Sequence, residues 1–329
     1  MNNNAAKKKQ VVIFGGWGFI GMNLVQAMLK YTNHDIVVID KFATPTEYNV
    51  EIFDPDSEYG PRLKVVRADI GSPDQYIGYI CNADLVYNFA AESHVDESFK
   101  YFGEFMMTNV VGATALCETI AEANPTATMI HMSTDEVYGN NDHINSEESY
   151  SPRNPYAVSK LAADYMLTNL AMQHNMKLAI IKATNFFGPW QHSSKFLPKV
   201  ILSAIAGDPV TVYGIGSERR AWVYVEEFAR RLAICSQEHD PVGCCSFNGL
   251  RFECFYGSCC SVKNLDMVLR INKLIGREQS LVAFSKQRIV HDGVYALERD
   301  SATVVNEPAD SELLATINWY KANRRVFGV

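Results

Sequence analysis

Tyr156 and Lys160 stand four residues apart in Tyr156-Ala157-Val158-Ser159-Lys160, a spacing that sets both side chains on one face of a helix. A free phenol, with a pKa of about 10, is a poor base at neutral pH. A neighbouring ammonium and a positive nicotinamide ring stabilise the phenolate and lower that value. The pair is therefore equipment for taking a proton from a hydroxyl while its carbon gives a hydride to a nicotinamide. Upstream, Ser133-Thr134-Asp135-Glu136-Val137-Tyr138-Gly139 adds a hydroxyl, Thr134, for the same oxygen, and two adjacent carboxylates. Simple alcohol oxidation needs neither carboxylate. An elimination does: it needs a base for an acidified carbon-bound proton and an acid for the departing hydroxyl. Two carboxylates in different surroundings can divide those roles, with Glu136 as base and Asp135 as acid. The plain alternative is an acidic pair that caps a turn and faces water.

These groups must be held by something, and apolar runs alternate with helical patterns for the first 190 residues. Strands are expected at Val11–Phe14, Ile36–Asp40, Lys64–Ala68, Leu85–Phe89, Thr128–Ser133 and Leu178–Ala183, each apolar on both faces as buried parallel strands are. Helices are expected at Phe19–Tyr31, Phe105–Ala123 and Tyr156–His174. The alternation implies an α/β fold built on a doubly wound, Rossmann-type parallel sheet. After Asn185-Phe186-Phe187-Gly188-Pro189 the segments shorten, and turns are expected at Gly207-Asp208-Pro209 and Tyr213-Gly214-Ile215-Gly216. The expected division is a disordered tail over 1–9, a cofactor-binding domain over 10–187, and a smaller α/β substrate domain over most of 188–329. That second domain would cover the carboxyl ends of the strands, where such sheets bind ligands.

Gly15-Gly16-Trp17-Gly18-Phe19-Ile20-Gly21 follows the first strand and opens a helix. Gly15, Gly18 and Gly21 are spaced three and three, not two and three as in the usual dinucleotide fingerprint, yet the physics is shared. A tight turn brings backbone close to a pyrophosphate at a helix N-terminus. On its own the motif is equally a bare turn. Asp40, 19 residues after Gly21, ends the second strand where a carboxylate accepts ribose hydroxyls and repels the extra phosphate of NADP. NAD is the expected cofactor, although Lys41 beside it leaves room for a phosphate. Asp69-Ile70 is placed to meet the adenine, or Asp69 serves a turn.

Composition narrows the class. The 329 residues carry a net charge of −7, against a nucleic-acid-binding surface. No apolar run approaches the ~20 residues of a membrane span, and the polar N-terminus lacks a secretion signal. A cytoplasmic location and no membrane partner are expected. Of eight cysteines, five cluster at Cys244, Cys245, Cys254, Cys259 and Cys260 without a Cys-x-x-Cys spacing. They are expected to be reduced thiols packed as small hydrophobes, with no metal and no disulfide.

Together these stretches resemble the extended short-chain dehydrogenase/reductases, most closely the nucleotide-sugar 4,6-dehydratases, the dTDP-glucose 4,6-dehydratase family. The likeness runs through Gly15–Gly21, Asp40, Asp69-Ile70, Ala90-Ala91-Glu92-Ser93-His94-Val95-Asp96, Thr108-Asn109-Val110, Ser133–Gly139, Tyr156–Lys160 and Asn185–Pro189. It continues through Phe196-Leu197-Pro198-Lys199 and Arg220-Ala221-Trp222-Val223-Tyr224-Val225, covering residues 10 to 230, then weakens. The resemblance implies tightly held NAD, a homodimer joined through helices, and a nucleotide-diphosphate sugar substrate converted to a 4-keto-6-deoxy product. It puts Gly15, Gly18, Phe19, Ile20, Gly21, Asp40, Asp69, Ile70, Ala90, Ala91, Asn109, Tyr156 and Lys160 on the cofactor. It puts Ser93, His94, Asn185, Lys199, Arg220, Asn248 and Arg288 on the substrate, where Arg288, Arg220 and Lys199 would hold the diphosphate.

The chain departs from that pattern on the substrate side. The family usually carries Arg-Asp-Trp where this chain has Arg220-Ala221-Trp222, and Pro-Glu-Lys where it has Ser193-Ser194-Lys195. The family's His-Asp-Arg-Arg-Tyr is here His291-Asp292-Gly293-Val294-Tyr295, so an arginine pair for the diphosphate is absent. Thymine is favoured as the nucleotide base, with uracil open. The rivals are a 4-epimerase or decarboxylase of the same superfamily, and a non-catalytic NAD-binding protein. The first would not need both carboxylates; the second would not need Thr134, Tyr156 and Lys160.

Overall fold

In the computed structural model the described residues are 7–43, 60–139, 150–238, 241, 251–258, 261–277, 282–285, 294–295, 302–305 and 307–327. The strands are β1 (Gln10–Phe14), β2 (Asp35–Asp40), β3 (Leu63–Arg67), β4 (Leu85–Asn88), β5 (Thr128–Thr134), β6 (Lys177–Ala183), β7 (Asn185–Phe187), β8 (Val210–Tyr213), β9 (Arg219–Tyr224), β10 (Arg251–Ser258), β11 (Ser261–Lys263), β12 (Val282–Ser285), β13 (Val294–Tyr295) and β14 (Ala302–Val305). The helices are α1 (Phe19–Tyr31), α2 (Ile77–Ile80), α3 (Val95–Ser98), α4 (Phe102–Phe105), α5 (Ala113–Ala123), α6 (Pro155–Gln173), α7 (Phe196–Ala206), α8 (Val225–Cys235), α9 (Asn264–Ile275) and α10 (Asp310–Ala322).

Eight strands form one sheet in the order β14-β10-β6-β5-β4-β1-β2-β3. Every neighbouring pair runs parallel. The chain steps outward from β1 to β2 and β3, then returns to place β4 on the other flank of β1. That reversal opens a crevice beyond the carboxyl ends of β1 and β4, where the Gly15–Gly21 turn lies. One apolar layer, with Leu24, Met28, Phe228 and Leu232, packs α1 and α8 on one face of the sheet. A second, with Tyr76, Leu116, Ile120, Leu167 and Ala171, packs α5 and α6 on the other. A third core, built on Leu197, Ile201, Trp222, Met267, Val268, Leu313 and Ile317, belongs to a smaller lobe of α7, α9, α10 and short strands.

The sheet does not stop at residue 187. β10 pairs with β6 and β14 with β10, so two strands of the second half complete the sheet of the first. α8 likewise returns to pack on α1. Other expectations change at particular residues. β3, expected to be covered on both faces, is the edge strand, and Lys64, Val65 and Arg67 are exposed. The helix expected over Phe105–Ala123 has a π-helical stretch over Met106–Gly112, which turns Asn109 into the interior. Cys254 in β10 is disulfide-bonded, contrary to the expectation of thiols throughout, whereas Cys81, Cys117 and Cys235 are free. Cys244, Cys245, Cys259, Cys260, Asn248, Arg288 and His291-Asp292-Gly293 lie outside the described residues. No helix among the described residues is long and apolar enough to cross a membrane.

Candidate active site

Two adjoining cavities, about 410 and 520 Å³, run through the crevice and share Gly15, Trp17, Gly18, Phe89, Ala91 and Glu92 as lining. Their floor is the glycine turn. Gly15 has φ +68°, and a Cβ there would stand 2.5 Å from the backbone nitrogen of Ala90. At Gly21 it would stand 2.3 Å from the carbonyl oxygen of Gly15. Only glycine lets strand end, turn and helix meet so closely. The first turn of α1 carries no acidic residue and no side-chain cap, so its N-terminal dipole faces the cavity unopposed.

The smaller cavity is lined by Ile39, Asp40, Lys41, Ala68, Ile70, Ala90 and Thr108. The Oδ1 and Oδ2 atoms of Asp40 accept N–H groups of Phe42 (2.8 Å) and Trp17 (3.1 Å), so both oxygens are aimed. Burial raises the Asp40 carboxyl above its ordinary value, and these N–H groups oppose the rise. Lys41, which by sequence could welcome a phosphate, instead pairs with Glu92 at 3.0 Å across the cavity mouth. Asp69 is exposed and its Oδ1 accepts the N–H of Gly71 at 2.8 Å, a turn role, while Ile70 lines the cavity. Asn109 does not line either cavity. Its amide holds the backbone of Glu92 (2.8 and 3.0 Å) and the Ser159 hydroxyl (2.9 Å), tying the cavity wall to α6. A glycine cradle, an aimed carboxylate and a helix N-terminus in one crevice fit a dinucleotide such as NAD, which Gly15, Gly18, Asp40 and the α1 terminus would hold.

The larger cavity leads to Met132, Ser133, Tyr156 and Lys160. β5 ends on Thr134, whose Oγ1 caps a short 3₁₀ turn over Asp135–Tyr138 by accepting the N–H of Glu136 at 3.3 Å. The same hydroxyl donates to Asp135 Oδ1 at 3.3 Å, and Thr134 lies near enough to the Tyr156 phenol to lower it. Asp135 is 4% exposed, and its Oδ2 has no partner. Burial, followed by the neighbouring Glu136 charge, pushes its carboxyl up to about 8, against the opposing pull of Arg220 and Thr134. At neutral pH it is a loaded acid. Glu136, one residue on, is half-buried and accepts a hydrogen bond from Asn154 Nδ2 at 2.8 Å. Burial and Glu136 raise the Tyr156 phenol, so this group stays neutral until a positive charge arrives. Burial lowers the Lys160 ammonium to about 8, and Asp164 partly restores it. Lys160 Nζ also lies 3.3 Å from His131 Nε2.

From the smaller lobe, Arg220 on β9 is near enough for its charge to act on Asp135. Asn185 begins β7, which pairs with β9 through Asn185↔Trp222. Ser93 and His94 line the larger cavity. Lys199, expected on the substrate, is exposed on α7 and lines neither cavity; Lys195, one turn earlier, takes that place. Its Nζ donates to the Ser93 carbonyl at 2.8 Å, and burial lowers it to about 8 despite the Glu136 and Asp96 charges. Trp17, Trp190, Gln191 and His192 complete the wall, and only neighbouring motifs pointed to them. The arrangement offers a phenol with a buried amine, a protonated carboxyl and a second carboxylate held by an amide, all beside a dinucleotide-shaped crevice.

The model of the NAD dependent epimerase/dehydratase family matches residues 11–243. Low-salt glycan biosynthesis protein Agl12 of Haloferax volcanii is 32% identical over 293 residues, covering 88% of this chain and 89% of that one. The dTDP-glucose 4,6-dehydratase of Neisseria gonorrhoeae is 30% identical over 350 residues, covering 96% and 97%. Among solved structures, a double mutant of DesIV, a dTDP-glucose 4,6-dehydratase from Streptomyces venezuelae crystallised with NAD, superposes with TM-score 0.83 at 26% identity, covering 96% of this chain and 98% of that one.

Proposed function

The chain belongs to the NAD dependent epimerase/dehydratase family, and we propose that within it the protein is a nucleotide-sugar 4,6-dehydratase. Its substrate is an NDP-glucose, dTDP-glucose before UDP-glucose, and its product the NDP-4-keto-6-deoxyglucose. The observation that carries this reading is Asp135: a carboxyl kept protonated to about 8 beside an amide-held Glu136. An epimerase has no leaving group to protonate and gives such an acid nothing to do. The dehydratase likeness of the Neisseria gonorrhoeae relative supports the same choice.

NAD, when bound, supplies the temporary acceptor for the hydrogen and two electrons removed at carbon 4 and returned at carbon 6, and its cationic ring favours the Tyr156 phenolate. Tyr156 takes the proton of the carbon-4 hydroxyl, with Lys160 stabilising the phenolate and Thr134 holding the oxygen. The resulting ketone acidifies carbon 5, whose proton passes to Glu136. Asp135 gives its proton to the carbon-6 hydroxyl, which leaves as water, and Glu136 returns its proton to carbon 5. Tyr156 then holds one proton too many and Asp135 one too few; Thr134, which bonds Asp135 and lies near the phenol, offers the path between them.

Purified protein incubated with dTDP-glucose or UDP-glucose, without added reductant, is expected to give a product lighter by one water that absorbs in alkali. If neither sugar nucleotide loses water, the dehydratase reading is wrong. The better substrate decides between thymine and uracil.

The assembly proposed is a homodimer. Phe102 (66% exposed), Met107 (61%) and Met172 (64%), with Val111, Val158, Tyr165 and Met166, make an apolar stripe over the α4–α5 segment and α6. An apolar patch of this kind is seldom left in water. Sedimentation is expected to show twice the chain mass, and Met107→Glu with Met166→Glu to halve it; a wild-type monomer would refute the dimer.

A further inference from the structure

Asn154 caps α6, the helix that carries Tyr156 and Lys160: its Oδ1 accepts the N–H of Ala157 at 2.8 Å. The same side chain, 6% exposed, donates through Nδ2 to Glu136 Oε2 at 2.8 Å. The amide cannot be turned round, because its oxygen is committed to the Ala157 N–H and only the NH₂ is left for Glu136. Glu136 is thus gripped from two sides. Thr134 Oγ1 accepts its backbone N–H from the end of β5, and Asn154 holds its carboxylate from the start of α6. Capping alone does not call for asparagine, since aspartate and serine cap about as well. An aspartate has no proton to give a carboxylate, and a serine is shorter by an atom.

We propose that Asn154 is a positioning residue for proton abstraction at carbon 5, fixing the Glu136 carboxylate relative to the helix that bears Tyr156. This rests on the dehydratase reading. A hydrogen bond donated to a carboxylate favours its charged form, the form a base needs. The amide therefore aims the base. It acts on the elimination and leaves the oxidation at carbon 4 alone, because neither Tyr156 nor Lys160 is among its hydrogen-bond partners.

The test is Asn154→Asp and Asn154→Ser, both of which keep a cap. In deuterium oxide, quenched single turnovers are followed by mass for the 4-keto intermediate, for deuterium at carbon 5, and for water loss. Asn154→Ser is expected to slow deuterium entry and water loss about tenfold, and Asn154→Asp about a hundredfold, with the 4-keto intermediate accumulating at the wild-type rate. The melting temperature of Asn154→Ser, which keeps the cap and adds no charge, should stay that of the wild type. A purely structural role would slow both half-reactions together and lower the melting temperature. Wild-type water loss in Asn154→Asp, or equal slowing of oxidation in both variants, overturns the assignment of Asn154. Absence of water loss in the wild type itself overturns the dehydratase reading and this inference with it.

Discussion

Asp135→Asn combined with Glu136→Gln is expected to leave the protein folded, with NAD retained and the sugar oxidised at carbon 4, while water loss falls by about a thousandfold or more. The size follows from the two roles: a positioned acid or base contributes roughly 10²–10⁴-fold, and paired groups acting on one step are not additive. The direction follows from Asp135 itself. Buried and lifted to about 8, it is already a neutral hydrogen-bonding group at pH 7, and asparagine is its near isostere without the transferable proton. The substitution therefore removes the acid and preserves the packing. Linkage adds a second readout. A carboxyl raised in the folded state stabilises the fold fully below its unfolded value of about 4, and that contribution drains away as pH climbs through about 8. Asp135→Asn should remove that part of the pH dependence in thermal melts. Water loss by the double variant at the parent rate would show that these carboxylates have other work.

Much of this site could be seen in the chain because its parts are local. Thr134-Asp135-Glu136 and Tyr156–Lys160 each lie within one turn of backbone, and their spacing alone fixes which side chains share a face. The β1 turn is legible for the same reason: Gly15 and Gly21 are required by contacts with Ala90 and with Gly15 itself. What failed to show depends on partners far along the chain. β10 joins the sheet beside β6, and β14 beside β10, across long gaps in the chain that no short-range pattern marks. Lys195 rather than Lys199 meets the cavity because α7 begins at Phe196, so Lys195 sits at its cap, beside Ser93, while Lys199 points outward. Asn109 reads as a cofactor contact by its motif. The π turn over Met106–Gly112 sends it inward to Glu92 and Ser159, a shift that a regular 3.6-residue period hides. Asn154 has no signal in the sequence: the fold makes it the cap of α6 and brings Glu136 to its other end.

Tyr156→Phe is expected to cut overall turnover by about 10²–10⁴-fold, the span of a lost general base, with NAD retention and melting temperature unchanged. The reason lies in how the site holds its proton. Burial and the Glu136 charge raise the phenol, so it ionises only when positive charge is brought to it, and Lys160, one turn along α6 and lowered to about 8, is the residue expected to bring it. The pH profiles of the two proteins should differ in kind. In the wild type, turnover is expected to fall above about pH 8, where Asp135 loses the proton it must give and Lys160 loses the charge that steadies the phenolate. In Tyr156→Phe the oxidation is limiting and the state of Asp135 no longer controls the rate, so the alkaline fall through about 8 should flatten. Thr134 sharpens the contrast. Its hydroxyl, 3.3 Å from Asp135 Oδ1 and near the phenol, would return the proton that each turnover leaves on Tyr156. With phenylalanine at 156 that supply is gone, and Asp135, 4% exposed, must be reloaded from solvent. A Tyr156→Phe protein that keeps the wild-type rate and the wild-type alkaline limb would remove Tyr156 from the proton path.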